Sequence, residues 1–476
     1  MQTDTTNQPI LPGAEDTIAA IATPPGPGGV GVVRVSGPAA FAVGRALFRP
    51  ARPLDVEPPS HLLIYGHIVD PTSGETVDEA LTVFMRAPRT YTREDVVEIQ
   101  AHGSPLTLQR ILALTLAAGA RMARPGELAM RAFLNGRIDL AQAEAVMDLV
   151  NADSEAARRL ALRQLQGELS ARTAAIQRAA LAALVRIEAS IDFPEEEVPQ
   201  PDVTEIRALL SEAQAATTTL LAGAARGRVQ REGVRVALVG RPNVGKSSLL
   251  NALLGVERAI VTPVGGTTRD TIEETTRLRD IALRLVDTAG LTESDDPIER
   301  LGVERSRAAA READALIFVL DSSESLSPLD YAAAEELRAL LGEAPVPVIL
   351  ALNKDDLPSA LAADAAQALW PGAPPVRVSA RSGDGVAPLE EALAGLAQSG
   401  QGRGADPLVA SARHVNALER VADNLAAARS ALDSATPLDF VALDIRAALD
   451  ALGEVSGATA TEDLLDQIFA TFCIGK

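Results

Sequence analysis

GRPNVGKS, residues 240–247, is the stretch on which the reading of this chain turns. It has the form Gly-x-x-x-x-Gly-Lys-Ser, follows the strand-like run VRVALV (234–239) and precedes the helix-forming run SLLNALL (248–254). A turn in that context presents backbone N–H groups to phosphates at the start of a helix. Lys246 reaches toward the β- and γ-phosphates, and the Ser247 hydroxyl suits Mg²⁺. The predicted cradle is Asn243, Val244, Gly245, Lys246, Ser247 and Ser248. A bare glycine turn is the bland alternative, and the flanking strand and helix argue against it.

Working outward, three further motifs follow in order. GGTTRD (265–270) offers Thr268 as a second Mg²⁺ ligand on a switch loop. DTAG (287–290) closes the strand-like LRLV (283–286). Asp287 would hold the metal through water, and the Gly290 N–H would sense the γ-phosphate, with Thr288 and Ala289 between them. NKDD (353–356) follows PVIL (347–350), and Asp356 can accept both N1–H and N2–H of guanine, a pair that adenine lacks. Asn353, Lys354 and the SAR run of Ser379, Ala380 and Arg381 complete the base pocket. NKxD or SAR alone is a weak signal. Four motifs in order predict GTP/GDP binding and GTP hydrolysis by a G domain over residues about 229–400.

Position 291, where many small GTPases carry a water-orienting Gln, is Leu. An apolar side chain cannot orient the attacking water. Asn243 offers a side-chain oxygen beside the phosphates, so a K⁺ ion between the β- and γ-phosphates is expected to do the electrostatic work of an arginine finger.

The rest of the 476-residue chain calls for two or three domains. It is 47% hydrophobic, which favours folding over disorder. No apolar run approaches the roughly 20 residues of a bilayer span, and the N-terminus lacks a basic-then-apolar leader pattern. One cysteine excludes an internal disulfide framework, and four dispersed histidines give no zinc constellation. The expectation is a cytoplasmic protein that does not enter membranes. A net charge of −20 argues against a broad nucleic-acid-binding face, although local basic clusters remain. These are Arg121, Arg124, Arg131 and Arg137; Arg158, Arg159 and Arg163; and Arg226, Arg228, Arg231 and Arg235. Of 44 basic residues only Lys246, Lys354 and Lys476 are Lys. Two sit in nucleotide motifs where Arg is no substitute, which draws attention to the third.

Strand-like runs at 16–22, 30–35, 61–69, 80–86 and 95–100 and a helix at 105–119 make residues 1–130 a strand-rich α+β domain. Helical periodicity runs from 127 to 193 through Leu140, Val146, Leu149, Leu160, Leu165, Leu169 and Ile176, and resumes at 203–226 after an acidic loop. SGQGRGADP (399–407) reads as a linker, and 408–476 as helix interrupted at Pro437. The expected architecture is multidomain α/β: the N-terminal domain, a helical domain over 131–228 and 401–476, and a P-loop, Ras-like G domain with a mostly parallel sheet inserted at 229–400. Insertion is favoured because neither helical flank alone offers much area to bury.

ATPPGPGGVGVVRVSG (22–37), ARPGELAMRAFLNGRIDLAQAEAVMDLV (123–150), IDFPEEE (191–197) and the terminal FCIGK (472–476) resemble the MnmE (TrmE) family of tRNA-modification GTPases. The resemblance runs from about Asp16 to Lys476. It implies a homodimer built through a folate-binding N-terminal domain, and a heterotetramer with an FAD-dependent partner, MnmG (GidA). The pair would install an aminomethyl-type group on C5 of the wobble uridine of certain tRNAs. The one-carbon donor is 5,10-methylenetetrahydrofolate, with 5-formyltetrahydrofolate as its analogue. The family's GTPase is K⁺-stimulated, and by position Asn243, Thr262, Val264 and Thr267 would surround K⁺. Glu299 matches the acid that positions the attacking water, and Arg34, Glu98, Arg137 and Lys476 match folate contacts. Cys473 matches the cysteine needed for modification. Arg137 departs from a position that is often Lys in this family.

Each of these residues has a plainer reading. GPGGVG (26–31) fits G-x-G-x-x-G, but a strand follows it, so a tight turn replaces dinucleotide binding. Arg34 reads as a snorkelling side chain and Glu98 as an exposed strand position. Glu299 with Arg300 reads as a solvated helix face. CIGK lacks a usual prenylation ending, and Cys473 alone could be inert. The rival functions are a regulatory G-protein switch in ribosome assembly without covalent RNA chemistry, and a folate enzyme with a vestigial GTPase.

Overall fold

The computed structural model describes residues 16–53, 57–192, 202–255, 273–278, 281–287, 307–342, 346–399, 406–434, 436–472 and 475. They form two compact units, Met1–Met147 with Gly453–Lys476, and Asp148–Leu452.

The first unit is built on strands β1 (Ile18–Ile21), β2 (Gly28–Ser36), β3 (Phe48–Pro50), β4 (Leu63–Val69), β5 (Thr76–Met85), β6 (Val96–Gly103) and β7 (Arg121–Met122). They assemble in the order β3-β4-β5-β6-β2-β1-β7, antiparallel except for β1–β7. Alternation along the strands sorts the two faces. Val33, Val35, Val97 and Ile99 bury against Phe41, Val43 and Leu47 of the helix Ala40–Leu47 and Leu108 and Ile111 of the helix Pro105–Ala117. The intervening Arg34 and Glu98 therefore emerge on the other face, where Ile18 and Ala20 of β1 pack with Ala123, Leu128 and Tyr91. The helix Ala40–Leu47 and the short β3 and β7 were not expected from the sequence.

The C-terminal residues belong to this unit. Leu465, Phe469 and Phe472 bury with Ala129, Leu140 and Met147, each large side chain contributing about 2 kcal/mol. Gly126 (φ 66°) permits the approach, because a Cβ there would lie 2.4 Å from the Phe469 carbonyl oxygen.

In the second unit the helices Glu155–Leu165, Glu168–Asp192, Val203–Ala222, Ala224–Glu232 and Ala412–Asp433 accompany a six-stranded sheet. Its strands are β8 (Val234–Val239), β9 (Glu273–Leu278), β10 (Ile281–Asp287), β11 (Ala315–Asp321), β12 (Val348–Asn353) and β13 (Pro375–Arg377). The order is β13-β12-β11-β8-β10-β9, parallel throughout except β9–β10. β11 and β12 are buried along their whole length, as a parallel sheet covered on both faces requires. The helix expected at 203–226 divides at Gly223, and the helical run continues to Glu232. Two glycines here admit a close neighbour. Cβ atoms at Gly223 and Gly227 would lie 1.9 Å from the carbonyl oxygens of Asp406 and Val409. The chain leaving the sheet thus lies against the helix that leads into it. Arg163 and Arg172 clamp the exit by bonding Asp406 at 2.6–2.9 Å.

Candidate functional sites: a nucleotide cradle and an arginine–tyrosine pocket

β8 delivers the chain to the glycine-rich loop. Gly240 adopts φ 148°, and a Cβ there would meet the Val319 carbonyl oxygen at 2.5 Å. Gly245 adopts φ 93°, and its Cβ would sit 2.3 Å from Asn353 Nδ2. Both positions need glycine for space and for backbone conformation. Asn243 takes φ 65°, a conformation that Asn tolerates better than most residues, and its side chain is exposed. Lys246 is buried and its Nζ donates to the Gly240 and Arg241 carbonyls, both at 3.0 Å, which folds the ammonium over the loop. Ser247 lies exposed in the first turn of the helix Lys246–Gly255.

The base pocket forms at the ends of β11 and β12. Asn353 donates from Nδ2 to the Val244 carbonyl (2.8 Å) and accepts at Oδ1 from the Ala380 N–H (3.1 Å). One buried amide therefore ties the phosphate loop to the SAR loop. Ser379 Oγ donates to Asp356 Oδ1 at 2.7 Å and accepts from the Ser382 N–H at 3.1 Å, which orients a carboxylate that remains exposed. Arg381 is exposed. Lys354, at φ 64°, pairs through Nζ with Asp321 Oδ2 at 2.6 Å. Asp321 was not singled out in the sequence, although an acid closing the otherwise apolar ALIFVLD strand was the available signal. Burial works to raise its pKa, but donation from Lys354 and Ser323 outweighs that and holds the carboxyl below its ordinary range.

Asp287 ends β10 beside Leu238 of β8, two residues before the phosphate loop begins at Gly240. The exposed Ser247 hydroxyl, in the first turn of its helix, is a hard oxygen donor of the kind that suits Mg²⁺. Thr262, Val264, Thr267, Thr268, Thr288, Ala289, Gly290 and Glu299 lie outside the described residues, as do Cys473 and Lys476.

In the first unit Arg34 and Glu98 are register partners across β2 and β6. The guanidinium bonds Glu98 Oε1 through Nε at 2.7 Å. It is neither a free snorkelling cation nor opposite an exposed acid, since side-chain exposures are 22% and 19%. Tyr91, which the sequence reading missed, joins the expected residues. Its ring centre lies 5.7 Å from the Arg34 guanidinium carbon and 5.3 Å from that of Arg137. The Tyr91 hydroxyl is buried with no hydrogen-bond partner among the described residues. Burial pushes its pKa up, against the pull of Arg34 and Arg137. Arg137 also donates to the Thr90 carbonyl. Gly475 reaches the same neighbourhood: a Cβ there would lie 2.2 Å from the carbonyl oxygen of Ile21, next to the β1 residue that pairs with Arg34. Gly475 therefore lies against the strand that borders this cluster.

The fold and the first site define a P-loop nucleotide-binding protein with a guanine-type base pocket. A family model described as the GTP-binding protein TrmE N-terminus matches residues 17–137, and one for the MnmE helical domain matches 140–473. The chain is 48% identical over 466 residues to the tRNA modification GTPase MnmE of Chloroflexus aurantiacus, covering 97% of this chain and 100% of that one. It is 45% identical over 469 residues to the protein of that name from Heliobacterium modesticaldum, covering 97% and 99%. The counterpart from Geobacillus kaustophilus is 44% identical over 464 residues, again covering 97% and 99%. The chain belongs to the MnmE (TrmE) family of tRNA modification GTPases.

Proposed function

We propose that this GTPase is K⁺-stimulated and works with an FAD-dependent MnmG (GidA) partner on certain tRNAs. Together they add a carboxymethylaminomethyl or aminomethyl group to C5 of the wobble uridine. A tetrahydrofolate carries the one-carbon unit. The observation that carries this reading is the pairing, in one chain, of the guanine-type site with the Arg34–Glu98–Tyr91–Arg137 pocket. That pocket fits a folate: it has an aromatic ring, two guanidiniums, a carboxylate and a buried hydroxyl without a partner. The 2-amino-4-oxo edge of a pterin presents the same N–H pair as guanine, which a carboxylate such as Glu98 can accept. The guanidiniums favour the acidic tail of the ligand. Lys476, beyond Gly475, would add a cation.

At the nucleotide site Lys246 and the loop amides hold the phosphates. Ser247, Thr268 and Asp287 would hold Mg²⁺, which would supply neutralisation of the phosphate charge during hydrolysis. Asn243 with Thr262, Val264 and Thr267 would hold K⁺, and Glu299 would orient the water in place of the residue that Leu291 cannot supply.

The homodimer is supported by an exposed apolar stretch on β4 and β5. Leu63, Tyr65 and Leu81 stand 54%, 49% and 39% exposed, and Tyr65 and Leu81 are cross-strand partners. Sedimentation velocity reads this directly, and a monomer would remove that part of the proposal. Among the described residues no helix is long and apolar enough to cross a membrane, and we place the protein in the cytoplasm. The arginine clusters are largely engaged: Arg121 and Arg131 with Asp16 and Glu127, Arg158 with Glu155, Arg228 with Asp314. Direct tRNA contact is therefore local, and the flavoprotein supplies much of the affinity.

Titration calorimetry with 5-formyltetrahydrofolate tests the pocket. Saturable binding that weakens at least tenfold in Arg34→Ala is expected, about the cost of one charge-assisted hydrogen bond. Binding indifferent to Arg34 would sink the folate assignment.

A further inference from the structure

A second charged cavity lies in the Asp148–Leu452 unit, away from the loop that takes the phosphates. It measures about 290 Å³ and is bounded by Asp148, Gln164, Arg231, Glu232, Arg235 and Arg284. Arg235 and Arg284 face each other in register across the parallel strands β8 and β10. Side chains directly opposite share one face of a sheet, and like charges there repel. Arg231, in the helix leading into β8, brings a third guanidinium.

Carboxylates offset only part of this charge. Asp148 takes Arg231 at 2.9 Å with Glu232 at 3.7 Å, and among the described residues Arg235 pairs only with the exposed Glu312, at 3.8 Å. Arg284 is half-buried, its Nε is buried without a hydrogen bond, and no carboxylate pairs with it among the described residues. A guanidinium desolvated without a partner is costly. Beside the partly exposed Arg235 it makes a natural fork for a tetrahedral oxyanion. The Gln164 side chain is buried and donates to the Leu408 carbonyl, so the wall behind the cavity is fixed.

We propose that this cavity binds a phosphate group, held by Arg235 and Arg284 with Arg231 at its edge. The site joins the helical segments to the sheet. β8 runs from Arg235 into the glycine-rich loop, and β10 runs from Arg284 to Asp287. A phosphate in the cavity braces the two strands whose far ends form the nucleotide site. It therefore links an anionic ligand to the helical segments without touching GTP.

The test uses full-length protein saturated with GDP and Mg²⁺, so that the phosphate loop is filled. Inorganic phosphate is titrated by calorimetry, and tRNA by fluorescence anisotropy at matched ionic strength. Arg284→Met and Arg235→Gln are compared with the parent chain, and unchanged GDP affinity shows that each is folded. If Arg284→Met loses GDP binding, Arg235→Gln carries the comparison. Saturable phosphate binding weakened at least tenfold by the substitutions establishes the site for small phosphate-bearing ligands. Loss confined to tRNA affinity, again tenfold, assigns the site to a backbone phosphate of RNA. If neither ligand distinguishes the variants from the parent, the proposal is overturned.

Discussion

Asp356→Asn is expected to lower GTP affinity by about a thousandfold, and to raise affinity for xanthosine triphosphate in return. A carboxylate accepts from both N1–H and N2–H of guanine. Ser379 donates to one of its oxygens at 2.7 Å and so fixes the plane of the group. An amide turns one acceptor into a donor facing the guanine N2–H₂, leaving two donors opposed. Sites built on such polar pairs reject a mismatched partner by roughly 10⁴–10⁵ when it is fully enclosed, and the exposure of Asp356 reduces that. Xanthine carries a carbonyl at that position, which restores the match. Fluorescent-nucleotide competition with GTP and XTP measures both. An unchanged GTP affinity would mean that Asp356 does not read the base.

Arg131→Ala is expected to destabilise the N-terminal unit by about 3 kcal/mol, within the range for breaking a buried ion pair. Arg131 is 2% exposed and bonds Asp16, Glu94 and Glu127 at 2.5–3.1 Å. The lower end of the range applies because Asp16 is 39% exposed. Urea unfolding of the full chain reports the change. An effect under 1 kcal/mol would show that the network is not structural. A pH profile adds an independent readout. Arg121, opposed by burial and helped by Arg131, holds the Asp16 carboxyl below its usual range. For Glu127, burial acts to raise the value but Arg121, the Arg124 amide and Arg131 outweigh it. Because both folded values are depressed, the stabilisation is present above the ordinary carboxylate range and disappears as pH falls through the folded values. The parent therefore loses stability on acidification more steeply than Arg131→Ala does.

Those two residues also mark the limits of the sequence reading. The place of Asp356 was legible because four spaced motifs order the loops around it, and the parallel sheet follows from the buried runs VRVALV, ALIFVLD and VILALN. Arg131 sat in an apparent basic patch, and its acids lie as far away as Asp16, so only tertiary structure shows that it is buried. Tyr91 was hidden for the same reason. It lies between strands, and its two arginines come from Arg34 on β2 and from the loop at Arg137. The helix Ala40–Leu47 escaped notice because AFAVGRAL is only two turns long, with Gly44 inside it, pressed against Phe84 and Val97. The placing of Gly475 at Ile21 could not be read from a five-residue motif, although the isolated Lys476 had pointed to the tail.

Hydrolysis of GTP by this chain is proposed to depend on a monovalent cation that does the electrostatic work of an arginine finger. Phosphate release from GTP by the full-length protein, in K⁺ and in Na⁺ at matched ionic strength, tests it most directly. The account predicts turnover at least tenfold faster in K⁺, a conservative share of the roughly 10²–10³ that one electrostatic stabiliser contributes, with the K⁺ effect lost in Asn243→Ala. Equal rates in the two salts, or no turnover in either, would contradict it.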